Sequence, residues 1–197
     1  MNLKYKPMGI YQTNCYIVEI DSKEIIIDPG VGATEWVLEN VSNPVAILNT
    51  HGHFDHIWSN QELKEKLNIP LYAPKDDVFM IEDDPLEKGT PSCSVDVAVE
   101  SEKIFDVQGI HFQFLHFPGH TPGCSAIIVE NVLFSGDFIF KGSIGRVDFP
   151  YSNPQDMRQS IVKFLKYNNN WTIYPGHGES TTMDEAKAML PSWLSYL

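Results

Sequence analysis

Four apolar runs in this sequence are each followed at once by histidine or aspartate side chains. The run VAILN leads into THGHFDH, and three later runs lead into FPGHTPG, LFSGD and IYPGHG. A short apolar run that ends in glycine or polar residues is typical of a buried β-strand. Side chains just beyond the ends of several strands can converge on one edge of a sheet. The pattern predicts a single cleft lined by His51, His53, Asp55, His56, His120, Asp137 and His177.

The dense cluster at residues 51–56 has a less specific interpretation, which is a solvated polar loop. The chain has only seven histidines, and three of them fall in this short stretch together with a carboxylate. This density favours a metal site. We interpret the two remaining histidines, His111 and His116, as ordinary strand residues. Imidazole and carboxylate ligands without cysteine suit zinc, iron or manganese, and because seven ligands are too many for one tetrahedral ion, two ions that share a bridging carboxylate fit better.

The length, net charge and cysteine spacing of the chain limit the class of protein to which it can belong. A length of 197 residues suits one domain, predicted over residues 1–197. The net charge of −12 disfavours a nucleic-acid or membrane partner and leaves a small-molecule substrate as the expectation. The three cysteines, Cys15, Cys93 and Cys124, show no disulfide spacing, and no signal-type apolar segment follows the first lysines. We therefore expect a cytoplasmic protein.

Local patterns predict an alternation of strands and helices. The acidic segment 76–102 shows no clear period, so we predict a solvated loop with one short helix, with a lid over the cleft as the alternative. Asn153 followed by Pro154 predicts the start of a helix. Predicted strands cover residues 14–20, 24–30, 45–49, 111–117, 125–130, 132–137 and 171–178, and predicted helices cover residues 33–41, 57–67, 154–167 and the chain from about residue 183.

The motifs THGHFDH, GHTPG, SGD and PGHG, in this order, resemble those of the metallo-β-lactamase superfamily over nearly the whole chain. The resemblance implies an α/β (α+β) fold, an αββα sandwich of two mixed β-sheets flanked by helices. It also implies one metal on His51, His53 and His120, and a second on Asp55, His56 and His177. Asp137 would bridge the two metals. The resemblance also implies that Asp28 supports the site from behind, whereas we favour a purely structural, hydrogen-bonded aspartate at that position.

The implied activity is that of a dinuclear metal-dependent hydrolase with two divalent ions, Zn²⁺ first and Fe or Mn as alternatives. Such a pair of ions presents a bridging hydroxide to an electrophile, with Asp55 and Asp137 as the catalytic carboxylates. The segment after Asp137 is similar to that of glyoxalase II enzymes, which cleave glutathione thioesters such as S-lactoylglutathione. In those enzymes a basic residue nine positions after the bridging aspartate binds glutathione, and this chain has Arg146 there, with Lys141 as a further candidate.

Two departures bear on that substrate. Asp148 stands where glyoxalase II enzymes usually have an aromatic residue, and only twenty residues follow His177, so the chain resembles the compact, single-domain bacterial glyoxalase II-like (hydroxyacylglutathione hydrolase) proteins. Arg146 could instead form a surface ion pair with Asp148. The resemblance also argues against a true β-lactamase, because members with that activity generally have cysteine or another residue where this chain has Asp137. Three alternatives stay open, which are a mononuclear iron persulfide dioxygenase of the same fold, another small-ester or lactone metallohydrolase, and a binding protein without activity.

Overall fold

The computed structural model describes residues 1–100 and 102–197, and within them most strands belong to two six-stranded sheets. The first sheet contains, in chain order and in spatial order alike, Asn2–Met8 (β1), Thr13–Ile20 (β2), Lys23–Ile27 (β3), Pro44–Leu48 (β4), Leu71–Pro74 (β5) and Val97–Val99 (β6). The second sheet contains Ile104–Val107 (β7), Ile110–His116 (β8), Ser125–Val129 (β9), Val132–Gly136 (β10), Thr172–Pro175 (β13) and Thr181–Thr182 (β14), and the short hairpin Ile139–Phe140 (β11) and Ser143–Ile144 (β12) precedes its last two strands. The helices are Ala33–Asn40 (α1), Phe54–Ile57 (α2), Asn60–Leu67 (α3), Val78–Asp83 (α4), Pro154–Phe164 (α5) and Met183–Trp193 (α6).

Both sheets are mixed. In the first sheet β1, β2 and β3 pair antiparallel, whereas β3, β4, β5 and β6 pair parallel. In the second sheet the spatial order is β14-β13-β10-β9-β8-β7, and among its described strands only β10 and β13 pair parallel. The carboxyl ends of parallel neighbours lie at the same edge of a sheet, so each sheet brings at least two strand ends together there.

The order of layers follows from the apolar runs. In β3, Ile25 and Ile27 pack with Phe114 and Phe134 of the second sheet, whereas Ile26 packs with the helices outside. Both faces of this strand are buried, which explains why its sequence is continuously apolar rather than alternating. The predicted αββα sandwich of two mixed sheets between helices is confirmed.

Helix α5 shows how the sequence sets an outer layer. The Asn153 side chain accepts hydrogen bonds from the backbone N–H groups of Gln155 and Asp156, with Pro154 at the first helical position, as predicted. Apolar residues of this helix then pack on the outer face of the second sheet: Met157, Ile161 and Phe164. The predicted end at residue 167 was three residues too late, since the helix ends at Phe164.

Other local predictions need correction. The segment 76–102 was predicted as a solvated loop with one short helix, but besides the short helix α4 it contains the strand β6, and both Met80 and Ile81 are buried. One residue of that segment, Ser101, lies outside the described residues. The strand β1 was not predicted, because most of its side chains are exposed and give no alternating pattern.

In the described ranges 1–100 and 102–197, no helix has the length and apolarity needed to cross a membrane. The single domain over residues 1–197 stays a prediction.

Candidate metal centre

The strand ends bring the predicted ligands to one edge of the sandwich. Asp28 follows β3 and the cluster at residues 51–56 follows the parallel neighbour β4. In the second sheet Asp137 follows β10, and His177 lies two residues beyond the parallel neighbour β13. A bridge between Thr13 of β2 and His177 joins the two sheets at this edge. The parallel pairing within each sheet thus explains why residues distant in sequence meet.

The first group of candidate ligands consists of His51, His53 and His120, and one nitrogen of each lies within 4.8 Å of the others. All three residues are buried. The distance between His53 Nδ1 and His120 Nε2 is 2.8 Å. The other ring nitrogen of His120, Nδ1, lies 2.8 Å from the backbone oxygen of Arg146, which orients the ring with Nε2 toward the group.

The second group consists of Asp55, His56 and His177, again with one ligand atom of each within 4.8 Å of the others. Asp55 Oδ2 lies 3.6 Å from His56 Nε2 and 3.5 Å from His177 Nε2. The Nδ1 atom of His177 lies 3.0 Å from the backbone oxygen of Tyr11, so its Nε2 faces the group. Imidazole and carboxylate donors in this arrangement could hold a divalent cation.

Asp137 lies between the two groups. Its Oδ2 atom is 3.3 Å from His120 Nε2 and 3.4 Å from His177 Nε2, and its Oδ1 atom is 3.3 Å from His56 Nε2. One carboxylate therefore reaches candidate ligands of both groups. The structure brings together all seven residues that the sequence pattern singled out.

Asp28 lies behind this centre. Its carboxylate accepts hydrogen bonds from the Thr50 backbone N–H at 2.8 Å and from the Thr50 hydroxyl at 2.6 Å. Its Oδ2 atom also lies 2.9 Å from His56 Nδ1, which leaves Nε2 of that ring facing Asp55 and Asp137. A carboxylate against the far nitrogen of a histidine fixes the orientation of the ring and increases its basicity as a ligand.

The buried polar atoms of this centre fit a cation. His51 Nε2, His56 Nε2 and Asp137 Oδ1 are buried without a hydrogen-bond partner among the described residues. Such groups are costly when left unsatisfied. Burial and the neighbouring imidazoles hold the pKa of His51 well below its usual range and lower that of His53 to about 3. Both rings are therefore neutral at physiological pH, with a lone pair free to bind a metal.

The carboxylates of the centre raise the pKa values of two other histidines. Burial alone would lower the pKa of His56, but Asp137, Asp55 and Asp28 outweigh it and raise that pKa well above its usual value. Burial would also lower the pKa of His177, but the hydrogen bond to Asp137 and the charge of that residue raise it. The pKa of Asp137 is held well below its usual range, because the surrounding histidines outweigh the effect of burial. The centre therefore has an anionic carboxylate that attracts positive charge.

Gly176 is required by the close approach of two strand ends. A Cβ atom at this position would lie 2.1 Å from Asp137 Oδ1 and 2.7 Å from His56 Cε1. We expect Gly176→Ala to displace the Asp137 carboxylate and weaken metal binding by at least about tenfold. Metal content after dialysis against a weak chelator measures the effect, with Ser180→Ala, an exposed change in the same loop, as the control. Unchanged metal content in Gly176→Ala would show that the carboxylate can move without loss.

A cleft of about 580 Å³ opens next to both groups. Its wall is mainly aromatic and apolar, and the acids that line it, Asp55 and Asp137, both belong to the candidate metal groups. Among the described residues, the lysine and arginine side chains that line it are Lys88 and Arg146. The described residues that line the cleft are Tyr11, His53, Phe54, Asp55, Leu86, Lys88, His120, Asp137, Phe140, Arg146, Phe149, Pro150 and His177.

The two predicted substrate-binding residues differ in position. Arg146 lines the cleft, where its guanidinium lies 4.2 Å from the centre of the Phe149 ring, and it also pairs with Asp148 at 2.8 Å. The ion pair with Asp148 is therefore present, and contact between Arg146 and a substrate stays a prediction. Lys141 pairs with Glu179 at 2.7 Å and is not among the described residues that line the cleft.

Sequence reasoning missed several residues around the centre. Thr13 donates a hydrogen bond to Asp55 Oδ2 at 2.7 Å, and the Asn14 amide donates to the backbone oxygens of Pro175 and Gly178, on either side of His177. Lys88 lines the cleft from within the segment predicted as a loop. These contacts join residues far apart in sequence, and no local pattern marks them. The three cysteines are buried and unpaired.

Comparison with known proteins places this geometry in a family. Residues 8–177 match the sequence profile of the metallo-beta-lactamase superfamily. The hydroxyacylglutathione hydrolase GloC of Haemophilus influenzae is 33% identical over 207 residues, which cover 97% of each chain. Among solved structures, the BLEG-1 B3 metallo-beta-lactamase superposes with a TM-score of 0.86 at 30% identity, over 98% of this chain and 100% of that one. TTHA1623 in a di-iron-bound form superposes with a TM-score of 0.82 at 32% identity, over 94% and 98% of the two chains. This chain therefore belongs to the metallo-β-lactamase superfamily.

Proposed function

We propose that this protein is a dinuclear metal-dependent hydrolase that cleaves a thioester such as S-lactoylglutathione. The observation that carries the proposal is the position of Asp137, whose two oxygens lie within 3.4 Å of histidine nitrogens from both candidate metal groups. The family supports a metal-dependent hydrolase, and the similarity to a hydroxyacylglutathione hydrolase supports the thioester.

The seven candidate ligands would hold two divalent ions, with Asp137 shared between them. When bound, such a pair supplies a water of lowered pKa and a Lewis acid for the acyl oxygen. The similarity to a protein solved in a di-iron form makes iron a candidate beside zinc and manganese. His51, His53 and His120 would form one site, and Asp55, His56 and His177 the other.

Other side chains of the protein orient the candidate ligands, and the residues of the cleft favour a particular kind of substrate. Thr13 fixes Asp55 through its hydroxyl, and Asp28 fixes the ring of His56. With a substrate bound, the aromatic side chains of the cleft wall would displace water from around the acyl group, and electrostatic interactions are stronger where water is excluded. A thiolate leaving group, with a pKa near ~8.5, needs little help from a general acid. A thioester therefore suits a cleft whose only lining acids are Asp55 and Asp137 among the described residues.

The charges of the cleft favour a substrate with an anionic end remote from the scissile bond. Lys88 and Arg146 are its lining cations, and glutathione has two carboxylates that they could bind. We expect Arg146→Ala and Lys88→Ala each to raise KM about tenfold for S-lactoylglutathione, with little effect on a small neutral thioester. Lys66→Ala, an exposed change on α3, is the control. If both substrates respond equally, these residues do not bind the anionic end.

Metal analysis followed by a substrate panel tests the function as a whole. Protein purified without added metal should contain two ions per chain and cleave the glutathione thioester. One iron per chain with oxygen consumption on a glutathione persulfide would instead identify a dioxygenase. The panel should include a lactone and a cephalosporin, because the similar BLEG-1 structure is that of a B3 metallo-beta-lactamase. Two bound ions with faster turnover of either of these would overturn the thioester assignment.

A further inference from the structure

We propose that Asp77 is a positioning residue for the first metal group, and that its buried carboxylate holds the loop that carries His51 and His53 against the loop that carries His120. The inference deepens the proposed function, because it assigns the geometry of one metal site to a residue outside the ligand set. Asp77 lies at the end of a short 3-10 turn, Lys75–Asp77, in the acidic segment of the chain.

The hydrogen bonds of Asp77 connect these two loops directly. Oδ2 accepts from the backbone N–H of Gly52 at 2.9 Å and from the hydroxyl of Thr121 at 2.6 Å, and Oδ1 accepts from the backbone N–H of Gly123 at 2.6 Å. Gly52 stands between His51 and His53, and Thr121 follows His120. One carboxylate thus accepts from the immediate neighbours of all three ligands of the first group.

The packing around Asp77 shows that the two loops are closely fitted to it. A Cβ atom at Gly52 would lie 3.2 Å from the Asp77 Cβ and 2.6 Å from the Cβ of Met80. A Cβ atom at Gly123 would lie 2.8 Å from Asp77 Oδ1. Only residues without a side chain allow both loops to approach the carboxylate this closely. The Asp77 side chain therefore fixes the separation of the loops.

The burial of Asp77 explains why the contact is rigid. The residue has no exposed surface, and a buried carboxylate is tolerated only where donors satisfy it. If either loop moved away, the carboxylate would lose a hydrogen bond from the donors that offset its burial. The neighbouring Asp76 differs, because it is exposed. Two adjacent aspartates therefore provide a matched pair for an experiment.

The amide variant Asp77→Asn tests the proposal with little change in shape. Each Asp77 oxygen accepts at least one hydrogen bond, so either orientation of the amide places an –NH₂ donor against an N–H or O–H donor. We expect one of the two ions to bind about 10- to 100-fold more weakly, and kcat to fall more than KM changes. Thr121→Val, which removes one donor and keeps the carboxylate, should weaken the same ion by a smaller factor, and Asp76→Asn should change neither ion.

Titration with Co²⁺ and a competing chelator measures the two affinities separately, and urea unfolding of the metal-free variants measures stability. A loss of stability with both ions bound at wild-type affinity would overturn the proposal and leave Asp77 as a residue of the fold only. If Asp77→Asn does not fold, Thr121→Val decides by the same titration. Wild-type protein that binds two ions but cleaves no thioester would refute the proposed substrate alone, since the Asp77 comparison depends on metal affinity.

Discussion

Replacing Asp137 by alanine is expected to remove bound metal from both groups and to lower kcat/KM for the thioester by about a thousandfold or more. Its carboxylate is within 3.4 Å of His56, His120 and His177, so its loss removes the side chain that both groups would share. A thousandfold loss corresponds to about 4 kcal/mol of transition-state stabilisation, which is in the range expected of metal-ion catalysis.

Two further variants make this result interpretable. Asp137→Asn keeps the size of the side chain but removes its charge, so it should retain the fold and lose most of the metal. Asp184→Asn, an exposed carboxylate in the first turn of α6, should behave as wild type. Metal content and steady-state rates on the three proteins give the comparison. Two ions bound to Asp137→Ala at wild-type affinity would show that this residue does not link the sites.

The candidate ligands could be located from the sequence because their pattern is local. Each of the four apolar runs is a strand whose side chains pack inside the sandwich, and the polar residues follow where the strand leaves the core. The helix that starts after Asn153 was predicted for the same reason, since its cap and its proline are neighbours in sequence. A pattern among residues that are neighbours in sequence can be recognised without knowledge of the fold.

The supporting residues could not be predicted, because their contacts exist only in the folded chain. Asp77 is one of many acids in a segment without periodicity, and the sequence does not distinguish it from the exposed Asp76. Thr13 stands 42 residues from its partner Asp55. The cleft position of Lys88 likewise depends on the turn that Asp84 forms by accepting hydrogen bonds from three backbone N–H groups nearby. Such roles follow from tertiary packing and not from spacing.

The two metal groups are expected to respond differently to pH. In the metal-free protein the raised pKa values of His56 and His177 keep protons on these rings at a higher pH than on a free histidine. A cation at the second group must displace those protons, so its affinity falls as the pH falls. His51 and His53 of the first group have lowered pKa values and are already neutral, so their protons do not compete.

The expected size of this difference follows from linkage. Each displaced proton weakens binding by about tenfold per pH unit below the pKa, so two protons give about a hundredfold loss per unit at the second group. Metal content after dialysis at pH 7.5 and pH 5.5 should fall from two ions to one. Calorimetry in two buffers of different ionisation enthalpy counts the protons released on metal binding. Most of them should be released when the second group binds its ion. Asp28→Asn removes one of the carboxylates that raise the pKa of His56, and it should reduce this proton release. Equal loss of both ions on acidification would contradict the assignment of the displaced protons to His56 and His177. It would mean that the negative charge around Asp137 acts alike on the histidines of both groups.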